Sequence, residues 1–414
     1  MPSSLNQKLQ ALEHKISKVR KTKTPAILDG LSTIEEIMIA AQAKREHHPI
    51  YVGFSGKALI NLDDECLFEA LENRTIDWII PDSPLLPPFL QECEKHFKLS
   101  EKTIRYFTEG KKIGVIILNW NGKNDTLACL KSLKQVKTPH DVIVVDNGST
   151  DGSIAAIRHS APHAHLIANR ENLGYAEGNN VGIRHALNKR YDYIFILNND
   201  TTVSPTILDA FLKQDAPIQG GTATLMSDPN RLDHLGGNWN PKTGTFDMVG
   251  SNAPLKDFSN PLTLDYVCGV ALFVKREVFE TIGLFDPRFF LFWEESDWCL
   301  RGKRAGYVSI TCPNALLQHK VSASFTGGKP HITYFWWRNR LLWIDKNCPP
   351  PERKRLKKLI FQSGRRALKH LLLLSLRAPF SQKQKRAALC AQRAALADYR
   401  RGAFGPAPSW LSQK

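Results

Sequence analysis

Asn198-Asn199-Asp200-Thr201 closes the apolar run Tyr193 to Leu197 and could hold a metal ion. A carboxylate flanked by amides and a hydroxyl can bind a hard divalent cation and leave its other coordination sites to phosphate oxygens. The same residues also suit an ordinary turn, because Asn and Asp bond to their own backbone. Asp146 ends a second apolar run, where an acid can accept hydrogen bonds from a nucleobase or ribose. The stretch Asn147 to Ser153 then offers backbone N–H groups near a helix start, a setting that favours anions. Asn, Ser and Asp are equally at home there as helix caps. Between Asn169 and Asn180, Gly174 and Gly178 allow close backbone approach to a ligand, and Arg170 can pair with phosphate. Glu294, Glu295 and Asp297 crowd three acids beside Phe289, Phe290, Phe292 and Trp293. A helix first turn explains such acids electrostatically, though not their apolar neighbours.

These groups need elements to carry them to one place. Ile113 to Leu118, Asp141 to Val145, His165 to Ala168 and Tyr193 to Leu197 read as strands, the longer ones apolar throughout as in a sheet buried on both faces. Helices are expected from about Asp125 to Gln135, with Leu127, Leu130 and Leu133 on one face, and from Ala176 to Asn188. Strands alternating with helices imply βαβ units and an α/β fold around a mostly parallel sheet. The polar residues then lie at the carboxyl edge of the sheet, where open α/β folds bind ligands. Neither a Walker loop nor G-x-G-x-x-G is present.

Upstream, residues 1 to about 23 suggest a basic helix, and Ser32 with Glu35 forms a capping box for another. Pro49 to Phe54 and Asp77 to Ile80 read as short strands. Residues 1–110 are thus expected to be a separate module, 111–348 the α/β domain and 349–414 a basic helical tail. Net charge is +16, of which the residues from Pro351 onward carry +14, with sixteen Lys/Arg against Glu352 and Asp398. Leu356, Leu359, Ile360 and Leu368 recur there at helical spacing, which suits a helix on an anionic membrane surface or one packed on the domain. No nucleic-acid module accompanies the charge. The eight cysteines are scattered without a C-x-x-C pair, so a reducing compartment is expected. No run reaches the roughly 18 apolar residues of a membrane span. The N-terminal stretch lacks the apolar core of a signal peptide. The expectation is a cytoplasmic protein, peripheral on the inner face of the cytoplasmic membrane, whose terminal helices could mediate homo-oligomer contacts.

The ordered segments VIILNWNG, VVDNGSTDGS, NRENLGYAEGNNVG and ILNNDTTV, then CGVALFVKREVFETIGLFDPRFFLFWEESDWCLR and a histidine followed by YFWWRNRLLW, resemble the inverting glycosyltransferases of family 2. The likeness spans about Lys112 to Lys346 and is greatest to the rhamnosyltransferase-like branch. It implies a GT-A fold, a nucleoside-diphosphate sugar donor, a glycan or lipid-linked acceptor, and a Mg²⁺ or Mn²⁺ ion that stabilises the departing diphosphate. It further implies that Asn119, Asn121, Asp146, Asn147, Ser149, Arg170, Asn172, Gly174, Asn198, Asn199, Asp200 and Gly269 serve the donor. Asp200 and His319 would meet the metal, with Ser322 and Ser324 near phosphate. The general base is expected at Glu295, where the family typically has Asp, with Glu294 or Asp297 as substitutes. Arg338-Asn339 is expected to buttress the site.

Overall fold

A computed structural model describes residues 26–31, 50–54, 112–321, 329–377 and 383–412. The chain divides into two compact units, Met1–Lys111 and Lys112–Lys414. In the first, β1 (Ala26–Leu31) pairs in parallel with β2 (Ile50–Phe54). The β2 strand follows the expectation, whereas AILDGL, with its Asp-Gly, gave no strand signal. The basic N-terminal helix, the capping-box helix, the strand at Asp77, and Ser322 with Ser324 lie outside the described residues.

The second unit opens with β3 (Ile113–Asn119), α1 (Lys123–Leu133), β4 (Asp141–Asp146), α2 (Ser153–Ser160), β5 (His165–Ala168), α3 (Gly174–Asn188) and β6 (Tyr193–Asn198). There follow β7 (Thr201–Val203), α4 (Ile207–Gln214), β8 (Ile218–Leu225), β9 (Asp228–Leu232), β10 (Gly236–Asn240), β11 (Thr245–Val249), β12 (Thr263–Leu264), β13 (Tyr266–Val267) and β14 (Ala271–Lys275). Helices α5 (Arg276–Ile282) and α6 (Glu294–Arg304), strand β15 (Ser309–His319), and helices α7 (Pro330–Asn347), α8 (Pro350–Arg377) and α9 (Lys383–Arg401) complete it. Helix α3 starts two residues earlier than its apolar period suggests, because Asn172 Oδ1 accepts from Gly174 N at 2.8 Å.

The main sheet runs β5-β4-β3-β6-β14-β8-β15-β12. Its first four strands are parallel, and β14 lies antiparallel between β6 and β8. Alternate residues of each central strand feed opposite cores. Val115, Ile117, Phe195 and Leu197 pack with α1, α2 and α4 on one face. Ile116, Ile194 and Ile196 pack with α3, α5 and α6 on the other. Each large apolar side chain so enclosed contributes about 1.5–3 kcal/mol, which is why these strands are apolar at every position rather than alternating.

The chain leaves β3 toward β4 and β5, then returns through α3 to place β6 on the other side of β3. The crevice opens at that reversal, beyond the carboxyl ends of the strands. Asn119, Asp146 and Asn198 end β3, β4 and β6 there. The C-terminal helices belong to the same unit: Leu356 and Ile360 of α8 are buried with Trp343 of α7 and Leu396 of α9, and Tyr334 Oη donates to Asp398 at 2.8 Å.

Candidate functional site

At the β3–β4 edge the predicted residues bind one another. Asn119 Nδ2 donates to Asp146 Oδ2 at 2.6 Å and to Ser149 Oγ at 3.1 Å, while Ser149 N donates to Asp146 Oδ1 at 2.9 Å. Asn121 donates its N–H to Ser149 Oγ and accepts from Thr150 N. Asn147 Nδ2 reaches Asn172 Oδ1 at 2.9 Å and Gly174 O at 3.0 Å. Asp146 is fully enclosed with both oxygens in use, so it shapes the loop instead of presenting a free acceptor as its position in sequence suggests. Arg170 stands exposed on the turn after β5. Gly174 has φ +81°, and a Cβ there would lie 2.5 Å from Phe290 O, so only glycine fits.

The tripeptide at the end of β6 splits three ways. Asn199 Nδ2 turns to Thr126 Oγ1 at the start of α1, 2.9 Å away. Asn198 Oδ1 accepts from Tyr175 Oη at 3.2 Å, and the same hydroxyl lies 2.9 Å from Gly269 O. Asp200 faces His319, because β7 pairs antiparallel with β15 and sets Thr201 opposite His319. His319 Nε2 is 3.2 Å from Asp200 Oδ1, and its Nδ1 is 2.9 Å from Asp233 Oδ2. Burial would lower the imidazole pKa, but the two carboxylates outweigh it and raise the value to about 9. Asp233, held by its N–H to Ala223 O at 2.9 Å, carries no local sequence signal and sits 86 residues from its partner.

Asp200 and His319 are the residues that would meet a divalent cation here, the imidazole giving up the proton that its two carboxylates favour. Nε2 of His319 is a buried atom without an aligned hydrogen-bond partner among the described residues, and it points at the Asp200 carboxylate. Among the described residues there is no set of three His, Cys, Asp or Glu that would cage a metal. Asp200 and His319 would therefore supply two ligands and leave the rest to phosphate oxygens and water.

The third part of the site is the start of α6. Glu294 is buried, Glu295 is half-buried with Oε2 enclosed, and neither Oε2 has a hydrogen-bond partner. Burial raises both carboxyl pKa values, and the adjacent Glu295 charge lifts Glu294 well above the carboxylate range. Of the two, Glu294 is pushed further toward its neutral form. Glu295 is close to Gly269, at which a Cβ would sit 3.6 Å from the Glu295 Cβ and 3.5 Å from Tyr175 Oη. Burial, with Glu294 and Glu295 adding, keeps the Tyr175 phenol protonated as a donor. Asp297 has another task. It is fully buried, Oδ2 meets Arg301 Nε at 3.2 Å and Lys346 Nζ at 2.9 Å, and Oδ1 accepts from Asn347 Nδ2 at 2.9 Å. With both oxygens tied to cations and an amide, it locks α6 to α7 and is not available as a base.

The chain reaches α6 through Phe290, Phe292 and Trp293, whose φ angles are +63°, +68° and +77°. Non-glycine residues in such conformations cost about 1–3 kcal/mol each, so the surroundings must impose them. Asn339 does so by donating to Phe289 O, Leu291 O and Phe292 O at 2.6, 2.7 and 3.1 Å. Arg338 reaches Phe289 O at 3.3 Å, and Tyr175 N reaches Phe290 O at 2.5 Å. The expected buttress is present.

Residues 114–283 match the profile of Glycosyl transferase family 2. The N-acetylglucosaminyl-diphospho-decaprenol L-rhamnosyltransferase of Mycobacterium tuberculosis is 28% identical over 246 residues, covering 50% of this chain and 79% of that protein. The dTDP-rhamnosyl transferase RfbF of Shigella flexneri is 23% identical, over 58% of this chain and 81% of its own. Among solved structures, a mannosyltransferase from Pyrobaculum calidifontis in complex with GDP-Man and Mn2+ aligns with a TM-score of 0.41 at 20% identity, covering 70% of this chain and 82% of that one. Residues 114–283 thus form a family 2 glycosyltransferase domain, and the relatives named above are rhamnosyltransferases.

Replacing Asn339 by Leu keeps its volume but strips Leu291 O and Phe292 O of their side-chain donor. At about 1–3 kcal/mol for each buried group left unsatisfied, the loss should total at least about 2 kcal/mol. Urea unfolding followed by tryptophan fluorescence reads this directly. An unchanged midpoint would mean that the loop holds its shape without α7.

Proposed function

We propose that the protein is a metal-dependent inverting glycosyltransferase, moving a sugar from a nucleoside-diphosphate donor to a hydroxyl of a glycan or lipid-linked acceptor. The named relatives support a dTDP-linked deoxyhexose such as rhamnose as donor and a polyprenyl-diphosphate-borne sugar as acceptor; UDP and GDP are the other bases to test. The observation that carries the reading is the carboxyl pair, with Glu295 Oε2 enclosed and unbonded beside Gly269 and Tyr175.

In this reading the amide lattice around Asp146 fixes the loops that receive the nucleotide, and Arg170 reaches the diphosphate from the rim. Asp200 and His319 would hold the cation, which would supply positive charge against the negative charge that builds on the departing diphosphate. Glu295, whose pKa is raised less than that of Glu294, takes the proton of the acceptor hydroxyl. That oxygen attacks the anomeric carbon from the face opposite the diphosphate, the C–O bond to phosphate breaks, and the configuration inverts. Tyr175 orients Asn198 and the Gly269 carbonyl between the two halves. Trp336, 40% exposed and 5.1 Å from Trp293, offers a wall for the acceptor ring.

Glu295→Gln should reduce transfer by about 10²- to 10⁴-fold while nucleotide-sugar binding, read as a rise in melting temperature, persists. Retained transfer would move the base to Glu294. Because the base works ionised and its pKa is raised by burial, kcat/KM should climb with pH through a midpoint above the ordinary Glu value. A profile flat across that range would remove Glu295 from the role.

Asp200→Ala should make nucleotide binding indifferent to Mn²⁺, measured by titration calorimetry with and without the ion. Asp233→Asn leaves both ligands in place but loosens the imidazole, and should weaken Mn²⁺ binding to the nucleotide complex by about 10–100-fold. Equal Mn²⁺ affinity in the Asp233 variant would reduce that residue to packing.

A further inference from the structure

Helix α8 presents a face that the transfer reaction does not use. Its inner side is anchored, with Leu356 and Ile360 buried and Gly364 so close to α9 that a Cβ there would overlap Leu396. Glu352, the only acid in the helix, accepts from Trp239 Nε1 at 3.0 Å. Lys354, Arg355, Lys358, Arg365, Arg366 and Lys369 are exposed. At 3.6 residues per turn they fall, together with Leu359 and Leu373, within roughly 140° of the helix and along roughly 30 Å of its length. Leu359 and Leu373 are 43% and 49% exposed. The stripe carries no acid.

We infer that this face of α8 docks on an anionic lipid surface. Six cations, none paired with a carboxylate among the described residues and only Arg355 donating to backbone (Pro241 O and Lys242 O), match a layer of phosphate headgroups, and two leucines among them supply side chains that can enter the acyl boundary. A duplex nucleic acid would match the charge but leaves the interleaved leucines unexplained. No described helix is long and apolar enough to cross a membrane, so attachment by this face would be peripheral and reversible. The inference concerns binding alone and stands apart from the transfer chemistry.

The test uses the full chain in flotation with vesicles of phosphatidylcholine alone or mixed with phosphatidylglycerol, at low and high salt. The chain should float only with the anionic vesicles. The triple variant Lys358→Glu, Arg365→Glu, Arg366→Glu should lower partition by about tenfold or more, with its melting temperature unchanged because all three sites are exposed. Leu359→Ser with Leu373→Ser should keep the low-salt binding and lose the part that survives high salt. Absence of flotation with anionic vesicles, or flotation equal in the triple variant, overturns the proposal. So does tight binding of an RNA or DNA duplex that depends on the same three residues without any vesicle binding.

Discussion

One amide holds the catalytic side of this molecule in shape. Asn339 closes three carbonyls of the Phe289–Phe292 turn at once, and Arg338 adds a fourth contact from the same turn of α7. Without them, the positive-φ residues Phe290, Phe292 and Trp293 would relax toward ordinary backbone, and α6 would start elsewhere. The position of Glu294 and Glu295 therefore depends on a helix that contributes no group to the chemistry. Asp297 reinforces the same joint through Lys346 and Asn347. An acid that looks catalytic by its neighbours is spent on fastening the helix that carries the catalytic pair.

The two halves of the site share a physical design. On each, a group is enclosed with fewer partners than its chemistry demands. His319 is fixed through Nδ1 by Asp233 and leaves Nε2 aimed at Asp200. Glu295 is fixed beside Glu294 and leaves one oxygen unbonded. Buried polar atoms without partners are costly in a finished fold, and here they lie where a cation and an acceptor hydroxyl would complete them. Tyr175 lies between the halves, bonded to the end of β6 and to the loop before β14.

The parts legible in the sequence are those whose cause is local. The central strands are apolar at each position because both faces are buried, and their bounds follow closely: His165–Ala168 matches, while β6 adds only Asn198. The acids and amides at strand ends were recognisable as a ligand edge. What remained hidden depends on chain segments far apart. Asp233 becomes a partner of His319 only when β9 folds against β8, and Tyr175 meets Gly269 across 94 residues. The roles of Asp146 and Asp297 differ from expectation for the same reason. Sequence shows an acid but not whether donors from another strand or helix already occupy it.

The distribution of charge then acquires a structural reason. Nine of the sixteen basic residues from Pro351 onward lie on α8, whose buried side joins Leu356 and Ile360 to Trp343, Trp293 and Phe289 in one apolar cluster. That cluster contains the residue preceding Glu294 and the residue whose carbonyl Asn339 grips. The exposed face of α8 and the catalytic turn are therefore opposite sides of a single packed body, and close-packed interiors transmit strain instead of absorbing it.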